Sequence, residues 1–399
     1  MFSERTNWPI EVNDLTRVLQ ERRSQGLPIT DLTESNPTRS GFKYGGRVLE
    51  AFSNPGALEY APDPHGLMSA REAVVEYYAA RGATIAPKQI FLTSSTSEAY
   101  SYIFRLLGNP GDEVLVPRPG YPLFDFLTRL NDLEASGYPL VYDRGWRIDL
   151  AALERAVSGR TRAILLVHPN NPTGSYVHLD ELDFLISCCK RAGTALISDE
   201  VFADYAHPAA GASRAPTFAG EKSVLTFTLS GISKLSALPQ MKCAWLVVSG
   251  PEDLTGDAIE RLETIADTYL SLSAPVACAL PEFLKLRHVL QPQIHERLRL
   301  NLARLDAVLG TGPIRRLSVE AGWYAILQAP GIRSDEEWCV SLLREDGVLV
   351  HPGHFYDFAE EGYVVVSLLP PQETFGEGVT KLLARVKRGA SKTNAVNRS

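Results

Sequence analysis

Between about residues 68 and 250 the sequence alternates short apolar runs with amphipathic stretches, a rhythm that restricts the fold more than any other feature. The runs at 90–93, 113–116, 163–167, 195–198, 225–229 and 244–248 have the length and composition of strands. Segments 97–107, 121–130 and 179–192 lie between several of them and carry helical spacing. Strands that are apolar throughout need cover on both faces. The pattern therefore predicts an α/β fold whose mostly parallel sheet is covered by helices, with a smaller α+β domain beside it. In such sheets ligands bind beyond the carboxyl ends of the strands, so chemical groups at strand-to-loop junctions gain weight.

The flanking regions differ in character. Val12, Leu15, Val18 and Leu19 recur at helical spacing, residues 26–28 interrupt them, and 29–32 is extended. Helical patterns run from 252 to 309 and stop at Gly310 and Gly312; strand-like runs follow near 323–327, 348–350 and 363–368. The expected division is an N-terminal arm with part of the small domain (1–45), a large domain (46–289), a connecting helix with the C-terminal small domain (290–388) and a flexible tail (389–399).

Composition excludes several functions. Hydrophobic residues make up 45 % and charged residues 22 %, the balance of an ordinary soluble protein. The net charge of −7 argues against a nucleic-acid surface, and the apolar runs are far short of the roughly 18 residues of a membrane span. The start, MFSERTNWPI, has charges at Glu4 and Arg5 and no apolar signal-peptide core, so a cytoplasmic location is expected. Cys188, Cys189, Cys243, Cys278 and Cys339 form no CxxC pair and read as reduced thiols; no HExxH or Cys/His cluster suggests a metal.

Five features carry chemistry. Thr93-Ser94-Ser95-Thr96-Ser97-Glu98 stands between a strand and a helix, where free N–H groups suit either a phosphate or a plain N-cap. Asn170-Asn171-Pro172-Thr173-Gly174 is a rigid turn that fixes an Asn at a strand end, or turn chemistry alone. Asp199 and Glu200 end another strand, as partners for a protonated ring nitrogen or as solvated loop acids. Ser233-Lys234 follows the next strand: a surface lysine or, inside a cleft, a nucleophile and base. Lys242 leads into the last run.

Asn171 and Asp199 are 28 residues apart (199 − 171), and Asp199 and Lys234 are 35 apart (234 − 199). In that order and spacing, the chain resembles the class I/II aminotransferases of the pyridoxal 5'-phosphate (PLP) fold-type I superfamily. Ser35-Asn36-Pro37, Tyr60…Gly66, Pro119-Gly120-Tyr121-Pro122, Gly322-Trp323-Tyr324 and His351-Pro352-Gly353 extend the likeness nearly end to end. The resemblance implies transfer of an amino group between an amino acid and a 2-oxo acid through a Lys234 Schiff base, Lys234 afterwards moving the proton. It implies that Asp199 pairs with the pyridine nitrogen, Asn171 with the phenolic oxygen, and Tyr121 stacks on the ring. Ser95, Thr96 and Lys242 would hold the phosphate, and Tyr60 would reach the phosphate of the neighbouring subunit, giving a homodimer with shared active sites.

Four positions depart from that family's pattern. Phe202 replaces a Tyr that bonds the phenolic oxygen, which should raise the pKa of the Schiff base. Gly231 replaces a phosphate-binding Ser, with Ser230 and Ser233 as substitutes, and Lys242 replaces an Arg, losing its bidentate fork. Val365 stands where an Arg meets the substrate α-carboxylate, and residues 345–384 contain no Arg. Arg39 is the first candidate for that work, ahead of His351 and His354. The Val365 change leaves a PLP-dependent lyase, decarboxylase or oxidase open as the alternative.

Overall fold

The computed structural model describes residues 1–8, 13–208, 211, 213–270 and 272–396, with side chains as far as 389. Thr30–Asp31 (β1) opens the strand series, and eight strands form the main sheet. These are Ile90–Thr93 (β2), Glu113–Arg118 (β3), Glu134–Tyr142 (β4), Trp146–Ile148 (β5), Thr161–Val167 (β6), Ala195–Asp199 (β7), Thr226–Gly231 (β8) and Ala244–Ser249 (β9). Their order is β2-β9-β8-β7-β6-β3-β4-β5. The run β8-β7-β6-β3-β4 is parallel, while β9 runs antiparallel to both of its neighbours and β5 to β4.

Alternation of side chains explains why the strands are apolar throughout. Leu165, Ile197, Phe227 and Leu229 face one way, into a core with Tyr100, Ile103 and Leu262 of the helices Thr96–Leu107 and Glu252–Tyr269. Ile164, Leu166 and Leu196 face the other way, onto Leu185, Cys188 and Cys189 of the helix Leu179–Ala192. Each such Leu or Ile stabilises the fold by on the order of 2 kcal/mol.

Register then decides what the sheet presents. Val167 lies opposite Asp199, and Asp199 opposite Leu229. Thr93 and Gly231 both lie opposite Ala244. The carboxyl ends of β2, β6, β7 and β8 and the start of β9 therefore share one edge of the sheet.

The second sheet, β10-β11-β14-β13, is antiparallel and comprises Arg315–Arg316 (β10), Tyr324–Gln328 (β11), His351–Pro352 (β13) and Tyr363–Ser367 (β14). Val348–Leu349 (β12) pairs in parallel with β1, and Ser367 N–H donates to Leu32 O, so the N-terminal segment is sewn to the C-terminal part. The helix Ala274–Leu309 spans about 54 Å over its 36 residues and packs against both parts.

All six strands expected in the central region form, and the helix expected at 179–192 is present with those bounds. Two differences have local causes. β4 and β5 carry no clear apolar pattern, because Gly137 and Pro139 interrupt a half-exposed strand. The helix expected from 121 begins at Phe124, since Pro122 holds Tyr121 outside it. The helix Gln372–Val396 runs into the segment expected as a tail, whose residues 397–399 lie outside the described residues.

Candidate active site

Lys234 sits in the four-residue helix Ile232–Leu235, directly beyond β8. Its amine lies 5.5 Å from the centroid of the Trp323 ring and 5.8 Å from that of Phe202. Burial pushes its pKa down, and the charge of Asp199 acts in the opposite direction. A lysine so placed is a better nucleophile and base than one in water.

Asp199 ends β7 and is buried. Its Oδ2 accepts from the Tyr100 hydroxyl at 2.8 Å and its Oδ1 from the Val201 N–H at 3.1 Å. Burial raises its pKa to about 6, although Tyr100, Val201 and Lys234 all favour the ionised form. A carboxylate so desolvated gains strongly from a cationic N–H placed before it.

Asn171 follows β6 on a tightly held turn. Asn170 Nδ2 donates to Pro119 O at 3.2 Å and to Thr173 Oγ1 at 2.9 Å, and Gly174 N–H donates to Asn170 O at 2.8 Å. Gly174 has φ +68, and a Cβ there would meet Ala321 O at 2.2 Å, so glycine is required on both counts. Asn171 Oδ1 is buried without a hydrogen-bond partner in the protein. An orphaned buried amide end just beyond β6, whose neighbour β7 ends in Asp199, fits a site built for a polar ligand.

Ser95 caps the helix Thr96–Leu107, its hydroxyl oxygen accepting from the Glu98 N–H at 3.2 Å. That hydroxyl still has a proton to donate, and the first turn offers backbone N–H groups at the positive end of the helix dipole. Glu98 reaches back to the Ser94 N–H at 2.6 Å, taking one donor of this cradle. Lys242 is exposed, in a left-handed turn (φ 52) just before β9, and so lies in the chain beside the ends of β2 and β8.

Tyr121 is half-buried beyond β3, its ring 5.6 Å from Phe124. Burial lifts its hydroxyl to about 12, with Asp199 and Tyr324 adding to the shift. Tyr324 completes an aromatic wall, with its ring 6.4 Å from both Phe202 and Tyr356. Ser35, in the loop that carries Arg39, lies close enough to Tyr324 to act on its hydroxyl. Arg39 itself is exposed, on the turn Pro37–Arg39. Tyr60 is 83 % exposed in a loop, in a cleft with Asn54, Ser273 and Cys278.

The departures from the family's pattern have structural causes. A Cβ on Gly231 would come within 2.8 Å of Ala244 Cβ and 2.9 Å of Cys243 O, which excludes serine unless β9 moves. Ser230 is buried with its hydroxyl unpartnered, and Ser233 is half-buried. Val365 is 0 % exposed and packs among Ile326, Tyr356, Tyr363 and Trp146, so the floor of the small-domain sheet is apolar here. His354 is engaged by Asp335 at 3.2 Å, and burial pushes His351 down to about 4, which leaves the His351 ring neutral near pH 7.

Sequence reasoning missed Tyr100, which steadies Asp199; it named Phe202 and Trp323 but not their place beside the Lys234 amine. The one available signal was spacing: Tyr100 stands four residues after Thr96, on the helix that starts at the cradle.

The comparisons agree with this geometry. The family model for aminotransferase class I and II matches residues 29–379. The glutamate-pyruvate aminotransferase AlaA of Haemophilus influenzae is 27 % identical over 370 residues, covering 90 % of each chain. The alanine aminotransferase of Mycobacterium bovis is 24 % identical over 90 % of this chain and 86 % of its own. Among solved structures, an alanine aminotransferase from Pyrococcus furiosus superimposes with a TM-score of 0.88 at 22 % identity, covering 97 % of this chain and all of its own. With a lysine, a buried carboxylate, an orphaned amide and an anion cradle along one sheet edge, the chain belongs to the class I and II aminotransferases, enzymes that use pyridoxal phosphate.

Proposed function

We propose that this aminotransferase works as a cytoplasmic homodimer in which Lys234 carries the cofactor and moves the proton between substrate and cofactor. The observation that carries this reading is the convergence of Lys234, Asp199 and Asn171 on adjacent strand ends, with the lysine and the acid close enough to perturb each other. When bound, PLP supplies an electron sink for the bonds at the substrate Cα. The protein's part is electrostatic and positional. Asp199 keeps a proton on the ring nitrogen, Asn171 orients the ring through its amide, and Tyr121 flattens it from one side. Ser95 and Thr96 bind the phosphate with backbone N–H groups and hydroxyls, and Lys242 adds charge. Lys234, desolvated between Phe202 and Trp323, holds or releases a proton near the reacting carbon.

Arg39 is the proposed partner of the substrate carboxylate, since the Ser35–Tyr324 contact brings its loop to the aromatic wall. Relatives named for glutamate, pyruvate and alanine make these the first substrates to test. Buried free thiols at Cys188, Cys189, Cys243 and Cys339 favour a reducing compartment. Among the described residues no helix is long and apolar enough to cross a membrane.

The decisive experiment is a half-reaction screen. Purified enzyme is mixed with single amino acids, and the expected result is pyridoxamine phosphate with one equivalent of 2-oxo acid. Release of ammonia or carbon dioxide instead would overturn transamination. Borohydride reduction should leave the cofactor on the Lys234 peptide by mass, and a label elsewhere would remove Lys234 from its role.

A further inference from the structure

The helix Ile232–Leu235 is too short to satisfy all of its own carbonyls. Three side chains from distant parts of the chain donate to carbonyls of this helix and the turn after it, in addition to the local backbone bonds. The Tyr205 hydroxyl donates to Lys234 O at 2.7 Å, Gln291 Nε2 to Leu235 O at 2.9 Å, and the Tyr44 hydroxyl to Ala237 O at 2.7 Å. Ala237 is held at φ 53, a left-handed conformation that side chains with a Cβ rarely adopt. The turn that presents the lysine is therefore gripped from outside as well as by its own hydrogen bonds, in which Ala237 N–H donates to Lys234 O and Ser236 N–H to Ile232 O, each at 3.1 Å.

Tyr205 does more than the other two. It is fully buried, and burial keeps its hydroxyl well above its ordinary pKa, so it remains a donor. Its ring packs 5.0 Å from Trp323, whose indole in turn lies 5.5 Å from the Lys234 amine. One side chain thus touches both ends of the lysine's surroundings: the backbone carbonyl and the aromatic face beside the amine.

We propose that Tyr205 is a positioning residue for Lys234, its hydroxyl fixing the lysine carbonyl while its ring braces Trp323 against the lysine amine. This rests on the reading of Lys234 as the cofactor-bearing residue. That lysine must hold the cofactor and later act as a free amine, so a fixed backbone keeps it within reach at both stages. The ring faces of Trp323 and Phe202 favour the protonated nitrogen. Tyr44 and Gln291 hold the following carbonyls and stop the turn from rotating.

The test is Tyr205→Phe in the holoenzyme, which removes one oxygen and keeps the ring. Expected is a fall in kcat of about 5- to 10-fold, the rate equivalent of one net hydrogen bond, with KM unchanged within about twofold. The pH midpoint of the cofactor absorbance should fall by about half a unit as the nitrogen drifts from the ring faces. Trp323→Phe, which shrinks the braced face, should move the midpoint the same way and serves if Tyr205→Phe does not fold. A lower unfolding temperature with an unmoved midpoint would mean that Tyr205 is only structural and would overturn the proposal. Wild-type protein reduced with borohydride keeps the two questions apart. A wild-type adduct absent from Lys234 sinks the underlying reading, whereas a normal adduct with an unmoved variant midpoint sinks the positioning role alone.

Discussion

At the residue scale, the site sets two desolvated groups of opposite preference side by side. Burial favours the neutral form of each, and each charge favours ionisation of the other. The consequence for stability follows from linkage. Asp199 rises from 3.8 to about 6 on folding, so its contribution is complete below the lower value and is lost as pH rises through the higher one. Cofactor-free protein should lose unfolding temperature between about pH 4 and pH 6, and Asp199→Asn should flatten that slope. A slope unchanged in the variant would assign it to other groups. Arg39 gives a second test. Losing a charge-assisted pair to the substrate carboxylate should raise the amino-acid KM of Arg39→Ala by about 10- to 100-fold with little change in kcat. An unchanged KM would remove Arg39 from the site. Lys234, Asp199 and Asn171 could be singled out in the sequence because each stands at or just beyond a strand end with its own local signature. The contacts that tune them could not. Tyr100 reaches Asp199 across 99 residues of sequence, and Trp323 reaches Lys234 across 89 (323 − 234), distances over which no local pattern operates.

At the scale of elements, strand ends supply the chemistry and register supplies the alignment. The continuously apolar strands announced themselves, since burial on both faces leaves no polar alternation to confuse them. β4 stayed hidden because its partly exposed residues and its Gly and Pro blur the period. The hairpin β8–β9 shows how tightly the register is set. Restoring the family's serine by Gly231→Ser would press a Cβ to 2.8 Å from Ala244 Cβ, with the adjacent carbonyl of Cys243 at 2.9 Å. Overpacking of this kind costs about 1–3 kcal/mol. The variant should therefore unfold at lower temperature and bind PLP no more tightly, read by thermal melting and by cofactor titration. Tighter binding at undiminished stability would show that the strand end yields and that glycine is not imposed by β9.

At the scale of the whole molecule, the exposed apolar side chains bear on how two chains would associate. Leu49, Leu58, Tyr60, Met68 and Leu270 are all exposed, with Tyr60 at 83 % and Leu58 at 91 %. Tyr60 shares a cleft with Asn54, Ser273 and Cys278 rather than with Lys234. Tyr60 and Leu270 line one cleft, and exposed apolar groups brought together suit an association surface. In the proposed homodimer Tyr60 would serve the phosphate of the neighbour's site. A twofold dimer places the same patch on both chains, so each would complete the other. Complementation separates a shared site from mere association. Tyr60→Ala leaves a chain with its lysine but without the phosphate contact that it lends, and Lys234→Ala leaves the reverse. Each homodimer should be impaired, the second almost completely. Reassociated as a mixture, about half the dimers are mixed, each with one intact site, so activity attributable to them should approach about one quarter of wild type. The expected particle has twice the mass of the 43.8 kDa chain by sedimentation. Activity that merely averages the two parents would mean that Tyr60 serves no neighbouring site, even if the particle sediments as a dimer.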